Sequence, residues 1–405
     1  MAVGLKQLPL LHPVNGLRLG TSCAGIKHPG RRDLVVMEMG EGTHCVAAFT
    51  QNAFCAAPVR VARDHLAQAA PQFLLINTGN ANAGTGAQGM ADARVCCAAL
   101  AQLAKCEASR VLPFSTGVIG EPLPVEKIKA GLAAAYENLN AAGWEDAAHG
   151  IMTTDTMPKG ASRRLELNGD TITVTGIAKG AGMIRPDMAT MLAFIATDAG
   201  VSQALLQQCL DAALPLSFNR ITVDGDTSTN DACVLIATGH SGLHIDTTMH
   251  PAYAALAEAI TQVCAELAQA IVRDGEGATK FITVKINGGN SEQECTAAAY
   301  AIAHSPLVKT AFFACDPNWG RILAALGRAG IADLNIDAVT IHLDELCIVC
   351  NGGRAPDYQE QLGQQVMRRE EISIRVDLAR GPAHTTVWTC DFSYDYVRIN
   401  AEYRS

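Results

Sequence analysis

The sequence predicts a layered α/β fold with mixed sheets. Apolar residues recur at helical spacing in Leu256, Ile260, Val263, Leu267 and Ile271, which puts one buried stripe on a long helix. Short β-branched runs such as residues 171–177 and 372–378 read as strands. Helices and strands alternate in blocks rather than in regular strand-helix-strand units, which argues against a doubly wound nucleotide fold.

Taken in order, residues 33–39 and 45–49 are strand candidates, and the alanine-rich residues 91–105 form a helix. Strands at 171–177 and 192–196 follow, then a helix over 202–214 whose apolar positions are separated by polar ones. The long helix ends at Asp274-Gly275, so Glu276 and Gly277 fall in a helix-to-strand turn. Residues 281–286, 346–350, 372–378 and 385–390 complete the strands. The sequence has no internal repeat, low-complexity tract or Pro/Ser-rich linker, so composition marks no domain boundary.

Composition narrows the function classes. With 405 residues, 49% hydrophobic and 18% charged, the chain can bury a large core. A formal net charge of -9 offers no general attraction for phosphate backbones or anionic bilayers, so neither nucleic acid nor membrane is an expected partner. Near the N-terminus, Pro9 and Pro13 interrupt the apolar run around Leu8, Leu10 and Leu11 well short of a signal-peptide core. No continuous apolar run reaches the roughly 18 residues of a membrane span, so a cytoplasmic protein is expected. Fourteen cysteines then read as reduced thiols, mostly core residues such as Cys209 and Cys264. The Cys347–Cys350 CxxC lies in a run that looks like a buried strand. With only His342 nearby, no metal site is expected there.

Chemistry points to the segment from Lys179 to Ile195, where glycine-rich, proline-broken backbone runs into an apolar strand. Gly180 and Gly182 can serve a plain turn with Thr190 opening the strand. Alternatively, Thr190 attacks the preceding carbonyl and becomes a new N-terminal residue. A hydroxyl needs a base, and an N-terminal threonine carries one in its own α-amine, whose ordinary pKa is near 8. Residues 114–120, containing Thr116 and Gly117, offer a hydroxyl and a backbone N–H to a developing oxyanion, or else an ordinary turn between strands. Polar loops also occur at 77–84, 223–231 and 316–321, and none matches a phosphate loop or a dinucleotide fingerprint.

Taken together, residues 179–199 and the loops at Asn77, Thr116, Asp224 and Asp316 resemble the ornithine acetyltransferase (ArgJ) family of arginine biosynthesis, from about Gly16 to Ser405. The resemblance implies an α-β-β-α layered fold, similar to but distinct from the N-terminal nucleophile hydrolases. It implies self-cleavage between Ala189 and Thr190 into chains of residues 1–189 and 190–405, assembled as a heterotetramer of two copies of each. Thr190 then takes the acetyl group of N-acetylornithine as an ester, ornithine leaves, and glutamate accepts the acetyl group in a ping-pong cycle. Thr116 and Gly117 match the oxyanion-stabilising pair. Thr153 (or its neighbour Thr154), Lys179, Thr190, Glu276, Asn400 and Ser405 match substrate-binding positions. No cofactor is required, although acetyl-CoA is a possible second acetyl donor. The sequence departs from the family at Gly84, where a cysteine is expected, and at Arg185 and Asp187, where a smaller residue or an asparagine is.

The residue types suit that chemistry. Lys179 can neutralise a carboxylate or an oxyanion, and Glu276 can pair with an ammonium or relay protons, unless it is a solvated acid beside a helix end. A functional Asn400 requires an ordered tail, whereas tails are commonly disordered. Two rival readings remain: an amidase or peptidase using the same N-terminal threonine with water as acceptor, and a non-catalytic amino-acid-binding protein.

Overall fold

The computed structural model describes residues 2–167, 169–185 and 191–402. Two compact units divide the chain, the first formed by residues 7–219 with 226–271, the second by residues 1–6, 220–225 and 272–405. The first unit opens with β1 (Leu17–Ser22), β2 (Leu34–Met39), β3 (His44–Phe49), α1 (Ala57–Gln68), β4 (Phe73–Asn80) and α2 (Gly86–Ala104). It continues with β5 (Val111–Val118), α3 (Val125–Glu137), α4 (Trp144–Gly150), β6 (Lys159–Leu167), β7 (Asp170–Lys179) and β8 (Leu192–Thr197). β9 (Gly200–Val201), α5 (Gln203–Ala213), β10 (Ala232–Ala237), β11 (His244–Ile245) and α6 (Tyr253–Arg273) follow.

Period-two alternation builds the middle of this unit. In the sheet β1-β2-β4-β5, Val35, Met37, Leu74, Ile76, Leu112 and Phe114 share one core, while Leu34, Val36, Phe73, Leu75 and Val111 share another. The first set packs on Ile177, Phe194, Ala196, Val234 and Ile236 of the second sheet, β3-β10-β8-β7-β6. Across that junction Phe114 and Phe194 meet edge to face at 5.2 Å. The second set is covered by Cys96, Cys97 and Leu100 of α2 and by Ile128 and Leu132 of α3. Beyond the second sheet, α6 lies so close on β7 that a Cβ at Gly176 would stand 3.0 Å from Leu267 Cδ1, and α5 packs on β3 and β10. Helices, sheet, sheet, helices is the expected α-β-β-α order. Both sheets are mixed, with β4–β5 and β8–β10 parallel among antiparallel pairs.

By length and composition α6 could cross a membrane. Its apolar stripe is instead spent in the core, where Leu256, Ile260, Val263, Leu267 and Ile271 are all fully buried.

The second unit contains β12 (Phe281–Gly289), α7 (Glu292–Ala303), α8 (Pro306–Phe313), α9 (Trp319–Gly327), β13 (Thr340–Leu343) and β14 (Leu346–Cys350). β15 (Gly353–Arg354), α10 (Glu360–Met367), β16 (Glu371–Asp377), β17 (Ala383–Cys390) and α11 (Tyr394–Ala401) complete it. Its sheet runs β15-β14-β13-β16-β12-β17, and alternate residues Ile282, Val284, Ile341, Ile372 and Ile374 pack with Ala298, Ala299 and Ile302 of α7.

Two expectations shift. Residues 77–80 and 116–117, read as loops or turns, are instead the carboxyl ends of β4 and β5. β14 is the expected strand, but Cys347 and Cys350 are half-buried because only the two-residue β15 covers its outer edge.

Candidate active site

Thr116 and Gly117 end β5 beside the end of the parallel strand β4, the edge at which open α/β sheets receive ligands. The register slips there, between Gly79 and Asn80. Gly117 has φ +136°, and a Cβ on it would stand 2.3 Å from the Gly79 carbonyl carbon. Only glycine lets the two strand ends approach so closely. Buried amides fix this junction: Ser115 donates to Asn77 Oδ1 (2.6 Å), and Asn77 Nδ2 donates to the Asn80 carbonyl (3.0 Å). Asn230 Nδ2 reaches the carbonyls of Ala81 (2.6 Å) and Ser115 (2.9 Å). The polar runs at Asn77, Thr116 and Asp224 therefore meet here through Asn77, Ser115 and Asn230. The run from Asp316 does something else: Asn318 caps α9 by accepting from the Arg321 N–H at 3.1 Å.

Lys179 ends β7 with its side chain buried, and its Nζ donates to Thr116 Oγ1 at 3.3 Å. That contact occupies a hydroxyl lone pair and leaves the Thr116 proton to be donated elsewhere. In the β7–β8 register, Lys179 lies opposite Leu192.

Thr153 lies in the turn between α4 and β6. Its N–H donates to Asp155 Oδ2 at 2.9 Å, and its hydroxyl lies 3.5 Å from the same oxygen. Asp155 Oδ1 accepts from Lys159 Nζ at 2.5 Å and from the Gly180 N–H at 2.8 Å. Both side chains of the Asp155–Lys159 pair are fully buried. Burial alone would raise the Asp155 pKa, but the ammonium groups of Lys159 and Lys179, with hydrogen bonds from Lys159 and Thr153, hold it below the ordinary carboxylate range.

In the second unit, Glu276 is buried in the turn after α6, so it is not the solvated acid that its position alone allowed. Asn400 on α11 donates to Glu276 Oε2 at 2.8 Å. The tail helix is docked at its start: Ser393 donates to the Gly277 carbonyl (2.6 Å) and accepts from the Asp395 N–H (3.2 Å). Ala189, Thr190 and Ser405 lie outside the described residues.

The structure thus joins Thr116, Lys179 and, through Asp155, Thr153 within the first unit, and Glu276 with Asn400 within the second. Asp155, Lys159, Ser115 and Asn230 have no role that the sequence alone assigns. A signal for the first two existed: opposite charges four residues apart across Met157-Pro158, where proline disfavours the surface helix that usually explains such spacing. An open cleft of about 640 Å³, lined by Thr21, Ser22, Arg32, Asn138 and Asp146 among others, shares no residue with these groups.

The model of the ArgJ family matches residues 18–405. The chain belongs to the ArgJ family. Two relatives named arginine biosynthesis bifunctional protein ArgJ show the depth of the likeness within the ArgJ family. That of Pseudomonas fluorescens (strain Pf0-1) is 58% identical over 406 residues, covering 100% of both chains. That of Methylococcus capsulatus (strain ATCC 33009 / NCIMB 11132 / Bath) is 60% identical over 395 residues, covering 98% of this chain and 97% of its own. Among solved structures, an arginine biosynthesis bifunctional protein ArgJ from Bacillus halodurans is 39% identical, covering 51% of this chain and 97% of its own, with a TM-score of 0.49.

Proposed function

We propose that this chain is an acetyltransferase of arginine biosynthesis that cleaves itself before Thr190 and moves the acetyl group of N-acetylornithine to glutamate. Full-length identity to the ArgJ relatives supports the reaction class. The observation that carries the site assignment is the Lys179 ammonium on the Thr116 hydroxyl, beside Gly117 at the end of β5.

In this reading, Thr190 Oγ first attacks the Ala189 carbonyl carbon. The acyl group moves from nitrogen to oxygen, which breaks the C–N bond and frees the Thr190 α-amine, and water then hydrolyses the ester, leaving a carboxylate on Ala189 and a free Thr190 hydroxyl. In turnover that amine takes the hydroxyl proton as Oγ attacks the acetyl carbonyl of N-acetylornithine. Thr116 O–H and Gly117 N–H stabilise the oxyanion. The C–N bond breaks, the proton goes to the leaving amine, and ornithine departs. The glutamate amine attacks the acetyl ester by the same steps in reverse. Lys179, Thr153, Glu276, Asn400 and Ser405 are assigned to substrate binding, with Glu276 suited to an ammonium and Lys179 to an anion. The register of Lys179 against Leu192, two residues after Thr190, supports this placement of the nucleophile.

The cleaved chains 1–189 and 190–405 carry β7 and β8, adjacent strands of one sheet, which supports a lasting association; we assign two copies of each. The word bifunctional in the relatives' names supports a second activity, to which we assign acetyl-CoA as donor. No metal or other cofactor is needed by these steps. Free buried thiols such as Cys97, Cys233 and Cys264 support a reducing, cytoplasmic setting.

Intact mass with N-terminal sequencing tests the cleavage: two co-purifying fragments, one beginning Thr190-Met191-Leu192, are expected, and one uncut, active chain overturns it. Labelled N-acetylornithine with glutamate tests the reaction. Label on glutamate is expected, and label released only as acetate makes the protein a hydrolase. Labelled acetyl-CoA with glutamate and no acetylornithine tests the second donor.

A further inference from the structure

The residues assigned to acyl transfer are held by groups that the transfer steps do not themselves use. Three segments converge on the buried Asp155 carboxylate: the Thr153 N–H on Oδ2, and the Gly180 N–H and Lys159 Nζ on Oδ1. Arg31 Nη2 also holds this turn, donating to the carbonyls of Met152 (2.7 Å) and Thr153 (3.1 Å). Gly180 directly follows Lys179, so Asp155 fixes the backbone from which the Lys179 side chain leaves. Lys159 opens β6 opposite Ala178 of β7, which ties the second cation to the same pair of strands.

A buried carboxylate is costly unless its charge is matched and its lone pairs are filled. Lys159 supplies the close match at 2.5 Å, and Lys179 bears on the same carboxylate electrostatically while its Nζ donates to Thr116. With Lys159 removed, Asp155 would have to draw its close counter-charge from Lys179, away from the Thr116 hydroxyl. With Asp155 removed, two ammonium groups would face each other and the Thr153 and Gly180 backbones would lose their common anchor.

We propose that Asp155 and Lys159 are positioning residues of the acyl-transfer site: Asp155 locks the Thr153 and Lys179–Gly180 backbones into one frame, and Lys159 holds its charge, so that Lys179 is presented to Thr116. This rests on the acetyltransferase reading above. Displacement of one oxyanion donor costs on the order of 10²-fold in turnover. Asp155→Asn and Lys159→Met should each lower kcat by that order and also raise KM for N-acetylornithine, because Thr153 and Lys179 are assigned to substrate binding, and Lys159→Arg, which keeps the charge, should recover most of both.

The test measures kcat per acetylatable Thr190, from the burst of acetyl-enzyme, together with KM, the fraction of cut chain and the melting temperature. A folded but uncut variant also supports the proposal, because Gly180 precedes the cut in the chain between β7 and β8. Wild-type kcat in both Asp155→Asn and Lys159→Met would overturn it. So would equal losses in Lys159→Arg and Lys159→Met, which would make volume rather than charge the cause. Failure of both variants to fold would reassign the pair to stability alone. If the wild-type protein transfers no acetyl group, the acetyltransferase reading itself falls and takes this proposal with it.

Discussion

Asn400 donates its one amide group twice, to Glu276 Oε2 at 2.8 Å and to the Tyr396 carbonyl at 2.9 Å. Both amide hydrogens are thereby used, one on the backbone of α11 and one on the buried acid. The terminal helix thus carries a donor aimed at Glu276.

Replacing that donor by an acceptor is the direct test. Asn400→Asp sets a second carboxylate against Glu276 and removes both donated bonds, a change worth about 1–3 kcal/mol when a buried acceptor loses its partner. The expected outcome is a kcat/KM for acetyl transfer lower by roughly 10–100-fold. Melting should fall by a few degrees at most, because the lost bonds come from a side chain that is itself exposed. Unchanged kinetics would remove the pair from the reaction.

Two neighbouring substitutions on β5 should fail for different reasons. Thr116→Ala deletes a hydroxyl without touching the backbone, so it should fold normally and lose on the order of 10²–10³-fold in kcat. Gly117→Ala puts a Cβ 2.3 Å from the Gly79 carbonyl carbon at a φ of +136°, so β4 or β5 must move. It should cost about 2–4 kcal/mol in stability as well as activity, the range of steric and backbone strain combined. Calorimetric melting beside burst kinetics separates the two. A Gly117→Ala variant as stable as Thr116→Ala would contradict the close strand approach.

Much of this was legible beforehand because it rests on local pattern. The stripe from Leu256 to Ile271 and the alternation in residues 372–378 each put one face in a core, and the structure buries those faces. Thr116-Gly117 was misread as loop because glycine and polar residues usually end strands, whereas a pair of facing glycines continues these two to the sheet edge. Asp155 and Lys159 were missed for a different reason. A buried ion pair has no periodic signature, and its meaning comes from what the fold carries to it: Gly180 from 25 residues further on.

Acid should expose the Asp155 pair. Its carboxyl titrates below the ordinary value of 3.8 when folded, so the ionised pair contributes stability above that value and loses it as pH falls through the folded pKa. Asp155→Asn breaks a buried pair and should cost about 3–5 kcal/mol at pH 7. The gap between wild type and variant, measured by urea unfolding, should be constant from pH 7 to about 5 and narrow below about 4. A gap that does not change on acidification would show that the charge contributes nothing to folding.

Lys309 predicts the opposite limb. Its side chain is buried in the second unit, with Nζ donating to Thr389 Oγ1 at 2.8 Å and to the Cys390 carbonyl. Burial pushes its pKa below the usual 10.5, while the neighbouring Cys390, Asp391 and Asp224 oppose the shift without cancelling it. The folded state therefore gives up this proton more readily than the unfolded chain, and wild-type stability should gain from Lys309 as pH rises toward 10.5. Lys309→Met has no such proton. It leaves the Thr389 and Cys390 oxygens without their donor, so it should be less stable than wild type by about 1–3 kcal/mol at pH 7. Comparing melting temperatures from pH 7 to 10 should then show the wild-type advantage widening with pH. A constant or shrinking difference would mean that Lys309 keeps its proton on folding, and that the Thr389 and Cys390 acceptors fully offset its burial.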